Sequence, residues 1–275
     1  MTEWYNRDAQ PQFERPPVAE AALSLEYPPV PSLGSYQLSR LQAKWEQDYS
    51  HIQDVPAVPP SQLVQLQLEP SFQFQLNASQ PVRIWAVNPS NGMLIQTQAD
   101  RLVLNWRDEG VGRKYPGYDA LRTEYVRLWG LLVEFLTEFN LPVPAPVFGE
   151  YTYVNFVPLE PSDTMADVVS IVRAPAPERA LPGRELLTRF QFVRDIEKSD
   201  EHPMAAQVVV TGEPQGGGDA RRVLLNVDTR AIFDGTQTDV FEGLDVAHAL
   251  SSFTFDRIIA DKKREAWGQE SGSAK

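Results

Sequence analysis

The spacing of hydrophobic side chains predicts a long helix near the middle of the chain. Between residues 118 and 139, apolar side chains recur every three or four positions and form one broad stripe. The stripe consists of Leu121, Tyr125, Leu128, Trp129, Leu132, Phe135, Leu136 and Phe139. A stripe of this width predicts a helix that lies across a sheet. Asn140 and the proline-rich residues 142–146 predict the end of the helix and a boundary between two halves of the chain.

Alternating apolar and polar positions predict an antiparallel sheet before this helix. Segments 64–68 and 72–76 alternate with period two, which is typical of strands with one solvated face. Segments 82–87 and 93–98 are joined by a loop that ends in Asn91-Gly92, a sequence that suits a hairpin turn. A third strand at 102–106 follows after a tight corner, so we expect an antiparallel meander.

The first sixty residues predict one strand and one helix. Residues 18–27 predict a strand, and prolines follow at once. Ser35 has the chemistry of a helix N-cap. The apolar residues after it fall at helical spacing, so we expect one helix that reaches as far as Ile52; these residues are Leu38, Leu41, Trp45, Tyr49 and Ile52.

The second half of the chain repeats this alternation of strands and helices less regularly. Strands are predicted at 151–157, 186–193, 206–211 and 223–227, and Gly216 begins a glycine run that indicates an exposed hairpin tip. A short helix is predicted at 165–171 and a long final helix at 239–267.

Together these elements predict an α+β fold of antiparallel sheets, each packed by long helices, with two related halves. The expected organisation is a flexible arm at 1–16, an N-terminal α+β half at 17–141, a C-terminal α+β half at 147–267 and a disordered tail at 268–275.

Composition narrows the classes of partner. The chain has 275 residues, 37 of them acidic and 25 basic, and a net charge of −12. This charge repels phosphate backbones and anionic lipid, which argues against nucleic acid and membranes and favours a protein or a small molecule. The chain has no cysteine, which excludes disulfides and thiolate chemistry. With no apolar leader or membrane segment in the sequence, we expect a cytoplasmic protein.

No motif in the sequence indicates a particular reaction. The three histidines, His51, His202 and His248, lack the spacing of metal ligands, and no nucleophile elbow is present. His248 is interpreted as a structural histidine of the last helix. We therefore predict no metal and no cofactor, and the balance is against an enzyme, although a pair of catalytic carboxylates has no sequence signature.

One glycine-rich loop between a predicted strand and the long helix is a candidate anion site. Its glycines at 110, 112 and 117 allow backbone amides to approach an anion, although the pattern matches neither a dinucleotide fingerprint nor a P-loop. Basic and polar side chains flank the loop and complete the candidate ligand-binding set, which is Asn105, Arg107, Arg113, Lys114, Tyr115 and Tyr118. An ordinary flexible loop is the alternative reading, and the acids Asp108 and Glu109 favour it.

Two short pieces of this region carry a family resemblance. They are Asn105-Trp106-Arg107 and the Tyr115-Pro116-Gly117-Tyr118 that opens the long helix, and weaker matches are found at 17–20, 153–155 and 267–268. On these pieces the chain resembles, over most of its length, a bacterial family described as sporadically distributed proteins. The family commonly has a basic residue where this chain has Phe156.

The resemblance implies a cytosolic bacterial protein of the accessory genome, such as a component of defence or toxin immunity, and it supplies no catalytic residues. The leading hypothesis is therefore a non-enzymatic protein that docks on another protein of such a system. The alternative is a sensor or enzyme that holds an anionic small molecule, such as a nucleotide, with the candidate set above. Both hypotheses leave homo-oligomerisation open.

Overall fold

A computed structural model describes residues 13, 16–64, 82–160, 162–172, 189–200, 202–216 and 221–268. The strands in this part of the chain are β1 (Val18–Glu26), β2 (His51–Pro56), β3 (Val82–Val87), β4 (Met93–Gln98), β5 (Arg101–Arg107), β6 (Phe148–Pro158), β7 (Phe190–Ile196), β8 (Ala205–Gln215) and β9 (Arg222–Ile232). The helices are α1 (Ser35–Gln42), α2 (Tyr118–Glu138), α3 (Glu242–Ile258) and α4 (Asp261–Ala266), with a 3₁₀ turn at Met165–Asp167.

The described strands form one sheet in the order β2-β3-β4-β5-β1-β6-β9-β8-β7. The sheet is mostly antiparallel, and helices account for 26% of the structure. The expected α+β class, with antiparallel sheets each packed by long helices in two related halves, is therefore wrong. Strand β1 has β5 and β6 as its neighbours, and these pairings join segments far apart along the chain. Local periodicity carries no information about such pairings.

The chain divides into two compact units. One contains the described residues of Met1–Ala21, Tyr151–Thr229 and Asp245–Lys275, and the other contains those of Ala22–Glu150 and Arg230–Leu244. The second unit holds β2 to β5 together with α1 and α2. The first unit holds β7 and β8 together with α4.

Helix α2 confirms the prediction made from its apolar stripe. Its buried side chains are those of the predicted stripe up to Leu136, and Tyr118 is buried as well. Tyr125 joins the helix to two strands, because its hydroxyl accepts the Leu25 N–H at 2.7 Å and donates to the Leu102 carbonyl at 2.8 Å. The helix ends where Asn140 takes a positive φ of 53°.

The helix predicted from Ser35 to Ile52 begins within one residue of the predicted start and is wrong at its end. Gly34, not Ser35, occupies the N-cap position, and α1 ends at Gln42. Bonds between residues three apart, such as Trp45 N–H to the Gln42 carbonyl at 3.1 Å, then replace the α-helical pattern. Ile52 lies in β2, where it is paired opposite Ala86 and is 45% exposed. The edge pairing of β2 with β3 overrides the helical spacing.

The long final helix predicted at 239–267 is two helices. Ile259 forms an antiparallel bridge with Val169, and the Ala260 N–H donates to the Val168 carbonyl at 2.9 Å. These bonds use backbone groups that would otherwise form the next turn of α3. The same pairing limits the helix predicted at 165–171 to a single 3₁₀ turn.

The remaining predictions have mixed outcomes. The strands predicted at 18–27, 82–87, 93–98, 102–106, 151–157, 206–211 and 223–227 are confirmed by β1, β3, β4, β5, β6, β8 and β9. The strand predicted at 186–193 begins later, at Phe190, within the described residues. The strands predicted at 64–68 and 72–76, the glycine tip after residue 216, most of the arm and the tail after 268 lie outside the described residues. No described helix is long and apolar enough to cross a membrane.

Candidate functional site

The candidate site lies on one face of strands β3, β4 and β5. Trp85 is opposite Gln96 in the ladder of β3 and β4, and Leu94 is opposite Asn105 in the ladder of β4 and β5. Because side chains alternate along a strand, this face carries the apolar residues Val87, Leu94 and Val103. Its polar and aromatic residues are Arg83, Trp85, Gln96, Gln98, Arg101, Asn105 and Arg107. Leu102, Leu104 and Trp106 project from the other face.

Gln96 is the centre of the hydrogen bonds on this face. Its Oε1 accepts from Arg83 Nη1 at 2.8 Å and from Trp85 Nε1 at 3.0 Å. Its Nε2 donates to Asn105 Oδ1 at 2.6 Å. Gln96 and Asn105 are both buried, so this amide pair fixes the positions of Arg83 and Trp85 from below.

Two guanidinium groups lie against the Trp85 ring. The Cζ atoms of Arg83 and Arg107 are 5.4 Å and 5.3 Å from the ring centroid, within the range of cation–π contacts. We call Arg83, Trp85, Gln96, Asn105 and Arg107 the arginine–tryptophan site. Since a guanidinium donates two parallel hydrogen bonds, such a pair suits a carboxylate or a phosphate.

The environment of Arg83 is electropositive. Burial lowers the pKa of its guanidinium, and the charges of Arg101 and Arg107 lower it further. No described carboxylate forms an ion pair with Arg83, and no described atom accepts a hydrogen bond from its buried Nε. An anion held beside Arg83 would relieve this repulsion and satisfy the donor.

Arg101, on the same face, has a different role because acids neutralise it. Its Nη2 lies 3.0 Å from Glu26 Oε2, and its Nε lies 3.4 Å from Asp100 Oδ1. All three side chains are buried. Burial raises the pKa of Glu26, and hydrogen bonding from Ser61 and the charge of Arg101 act against that increase.

These buried polar groups hold a segment of chain across the face. Gln98 exchanges two hydrogen bonds with the backbone of Val58, at 2.9 and 3.1 Å. Arg101 then donates to the Pro59 carbonyl at 3.0 Å, and the Ser61 N–H donates to Glu26 at 2.9 Å. Backbone groups of residues 58–61 are thus satisfied by side chains of the sheet, which accounts for the burial of Gln98, Arg101 and Glu26 without a ligand.

The structure places the residues of the predicted candidate set at different positions around β5. Asn105 and Arg107 belong to the arginine–tryptophan site. Tyr115 contacts Trp106, on the opposite face of β5, with ring centroids 5.4 Å apart. Tyr118 is buried in the first turn of α2, the helix that is hydrogen-bonded to Leu102.

The glycine-rich loop holds its own basic residue with acids. Arg113 Nη1 lies 2.8 Å from Glu109 Oε2, and its backbone N–H donates to the Asp108 carboxylate. Lys114 is exposed in the same loop. Gly110, Gly112 and Gly117 have positive φ, as the loop conformation requires. Both acids that the sequence places beside this loop therefore contact Arg113.

His248 packs against an aromatic ring in the last part of the chain. His248 lies in α3, where the Tyr151 ring is 5.0 Å away and Ser252 Oγ is 3.3 Å from its Nε2. Among the described residues, no group of three or more His, Asp or Glu side chains could hold a metal ion.

Sequence reasoning missed Arg83, Trp85 and Gln96. A signal was present, because the predicted hairpin of 82–87 and 93–98 places these polar and aromatic residues on one face once its register is known. The period-two pattern alone does not give that register, since the turn of residues 88–92 is five residues long.

Comparison with known proteins adds no identity. No protein-family model matches the chain, and no curated protein is similar to it at a significant level. The resemblance to the sporadically distributed bacterial family stays a prediction.

Proposed function

We propose that the protein is a non-enzymatic binding protein that recognises an anionic group, a carboxylate or a phosphate, at the arginine–tryptophan site. The observation that carries this proposal is the position of Arg83. It is fixed by Gln96 at 2.8 Å, Arg107 lies against the same Trp85 ring, and no described carboxylate pairs with Arg83.

The polar neighbours support recognition rather than catalysis. Gln96 and Asn105 are engaged with each other at 2.6 Å, so neither amide is poised to move a proton. The Trp85 ring offers a flat surface between the polar groups, which suits a planar or unsaturated part of a ligand. An anionic small molecule, such as a nucleotide, combines these two features.

Ligand-dependent stabilisation tests the proposal. Inorganic phosphate, citrate and adenosine monophosphate are added separately to the wild type, and the melting temperature is measured. A ligand that binds only the folded protein adds about 2.7 kcal/mol of stability at 100 times its Kd. We expect an increase with at least one of these anions, and its loss in Arg83→Gln.

Arg189→Gln is the matched control, because it removes the same charge from an arginine whose side chain is 74% exposed. The control is expected to retain the full increase. An unchanged melting temperature with all three anions, or an equal increase in wild type and Arg83→Gln, would contradict the proposal.

A second proposal is docking on another protein of an accessory bacterial system, as the resemblance implies. One observation supports it: β2 is the first strand in the described order of the sheet, so it presents an edge, and the apolar Ile52 is 45% exposed on it. Co-purification from the native host tests it, with Ile52→Glu compared against Gln53→Glu on the same strand. A partner retained by the control and lost from Ile52→Glu supports docking, and equal retention contradicts it.

A further inference from the structure

Strand β7 is the last strand in the described order of the sheet. It pairs antiparallel with β8 along its whole length, from Phe190 opposite Gly212 to Ile196 opposite Ala206. No described strand pairs with its other side. An edge of this kind presents alternate backbone N–H and C=O groups to any strand that can match it.

The side chains of β7 are matched to a reversed copy of the same strand. In an antiparallel pair related by a two-fold axis, directly opposite residues project to the same face, so the axis passes through one residue opposite itself. Val193 is the midpoint of Phe190–Ile196. A pair centred on Val193 therefore uses all seven residues of the strand.

We propose that β7 pairs antiparallel with β7 of a second copy of this chain, centred on Val193. On one face, Phe190 then lies opposite Ile196 and Phe192 lies opposite Arg194. On the other face, Val193 lies opposite itself and Gln191 lies opposite Asp195. Each apolar residue then faces an apolar residue or a cation–π partner, and the Asp195 carboxylate faces the Gln191 amide, which can donate a hydrogen bond to it.

Contacts within one copy show that these side-chain pairs are compatible. The Arg194 guanidinium already lies 5.5 Å from the Phe192 ring centroid along its own strand. Asp195 already accepts a hydrogen bond from an amide, that of Gln207 on β8, at 2.8 Å. A second copy would extend the same two kinds of contact across the edge.

The two neighbouring registers are each less favourable than the register centred on Val193. A pair centred on Arg194 would place Arg194 opposite itself, and like charges directly opposite are destabilising. A pair centred on Phe192 would place Gln191 opposite Val193 and leave Asp195 and Ile196 outside the ladder. The Val193 register avoids both penalties.

Cysteine cross-linking tests the proposal directly, because the natural chain has no cysteine. Opposite Cα atoms in an antiparallel pair are about 4.5–5.5 Å apart, which a disulfide spans. Val193→Cys is expected to form a covalent dimer under mild oxidation. Arg194→Cys tests the register, since its two sulfurs would lie on diagonal positions, and Gln53→Cys on β2 tests random collision at another edge.

Two outcomes of cross-linking overturn the proposal. A dimer yield for Val193→Cys no higher than that for Gln53→Cys means that β7 does not pair with itself. A higher yield for Arg194→Cys than for Val193→Cys rules out this register.

The dissociation constant of the dimer gives an independent test. It uses substitutions of Gln191, whose side chain is exposed, so the fold should be retained. Gln191→Lys would place an opposite charge across from Asp195 of the second copy, and Gln191→Asp would place a like charge there. Analytical ultracentrifugation should give a dissociation constant at least about threefold lower for the first variant and threefold higher for the second. A wild type that remains monomeric at millimolar concentration, or two variants that match it, would overturn the proposal.

Discussion

The Lys263 ammonium lies 2.8 Å from Asp163 Oδ2, and both side chains are buried. Lys263 also donates to the Pro158 carbonyl at 2.7 Å, and Lys262 reaches Asp163 Oδ1 at 2.5 Å. The Glu160 N–H donates to the same carboxylate at 3.0 Å. Asp163 thus joins the residues after β6 to helix α4.

Asp163→Asn should be one of the most destabilising single changes in the chain. It leaves the buried Lys263 charge without its partner, and breaking one side of a buried pair costs about 3–5 kcal/mol. Urea unfolding measures the change. Glu160→Gln is the control, because Glu160 is exposed and its pair with Lys262 spans 3.4 Å, so a loss below about 1 kcal/mol is expected. Equal losses in the two variants would contradict this account.

The same carboxylate should make stability depend on pH in acid. Burial alone would raise the pKa of Asp163, but hydrogen bonds from Lys262, Lys263 and the Glu160 N–H lower it from 3.8 to about 2. A lowered pKa means that the stabilisation is complete above about pH 4 and is lost as the pH falls toward 2. The free energy of unfolding of the wild type should fall in this window more than that of Asp163→Asn. Parallel pH profiles would contradict the prediction.

Gln96→Leu tests the amide at the centre of the arginine–tryptophan site. The change removes the acceptor of the half-buried Arg83 and Trp85 and the donor to the buried Asn105. Losing hydrogen bonds in such positions costs about 1–3 kcal/mol. Urea unfolding should show this loss, and Trp fluorescence should change because the Trp85 indole loses its partner. Gln47→Leu, at an exposed position after α1, should have neither effect. Unchanged stability in Gln96→Leu would show that the network is not formed.

Local patterns predicted those elements whose structure is determined by residues close together in the sequence, and α2 is the best example. Its stripe is complete within 21 residues, so its position needed no knowledge of the rest of the chain. The single sheet could not be predicted in this way, because β1 lies between β5 and β6, and these pairings leave no local pattern. The end of α1 was missed because Ile52 obeys helical spacing and still pairs in β2.

The candidate site was predicted in part for the same reason. Asn105 and Arg107 were found because both belong to one short motif, Asn105-Trp106-Arg107. Arg83 and Gln96 reach them only through the register of β3, β4 and β5, which depends on the hairpin and on the corner at Asp100. Arg113 was chosen for its glycine-rich context, and it forms an ion pair with Glu109, an acid four residues earlier.

Tyr125→Phe should separate the polar contribution of this residue from its packing. The ring stays in place, but the Leu25 N–H loses its acceptor and the Leu102 carbonyl loses its donor, both in buried positions. We expect a loss of about 1–3 kcal/mol in the free energy of unfolding. Tyr36→Phe, at a ring that is 68% exposed, should be close to neutral. A neutral Tyr125→Phe would mean that water replaces the hydroxyl.

Two glycine substitutions should change stability in opposite directions. Gly92 has a φ of +76°, and a Cβ there would lie 2.5 Å from the Arg107 carbonyl oxygen, so Gly92→Ala strains the hairpin and must move β5. Gly130 lies within α2 with nothing within 4 Å of an added Cβ. Alanine favours a helix over glycine by about 1 kcal/mol, so Gly130→Ala should raise the melting temperature. Because a Cβ at Gly92 would displace the backbone of Arg107, Gly92→Ala should also weaken anion binding. Gly130→Ala should leave anion binding unchanged. Equal anion-induced increases in the melting temperatures of the two variants would show that the hairpin turn does not affect anion binding at the site.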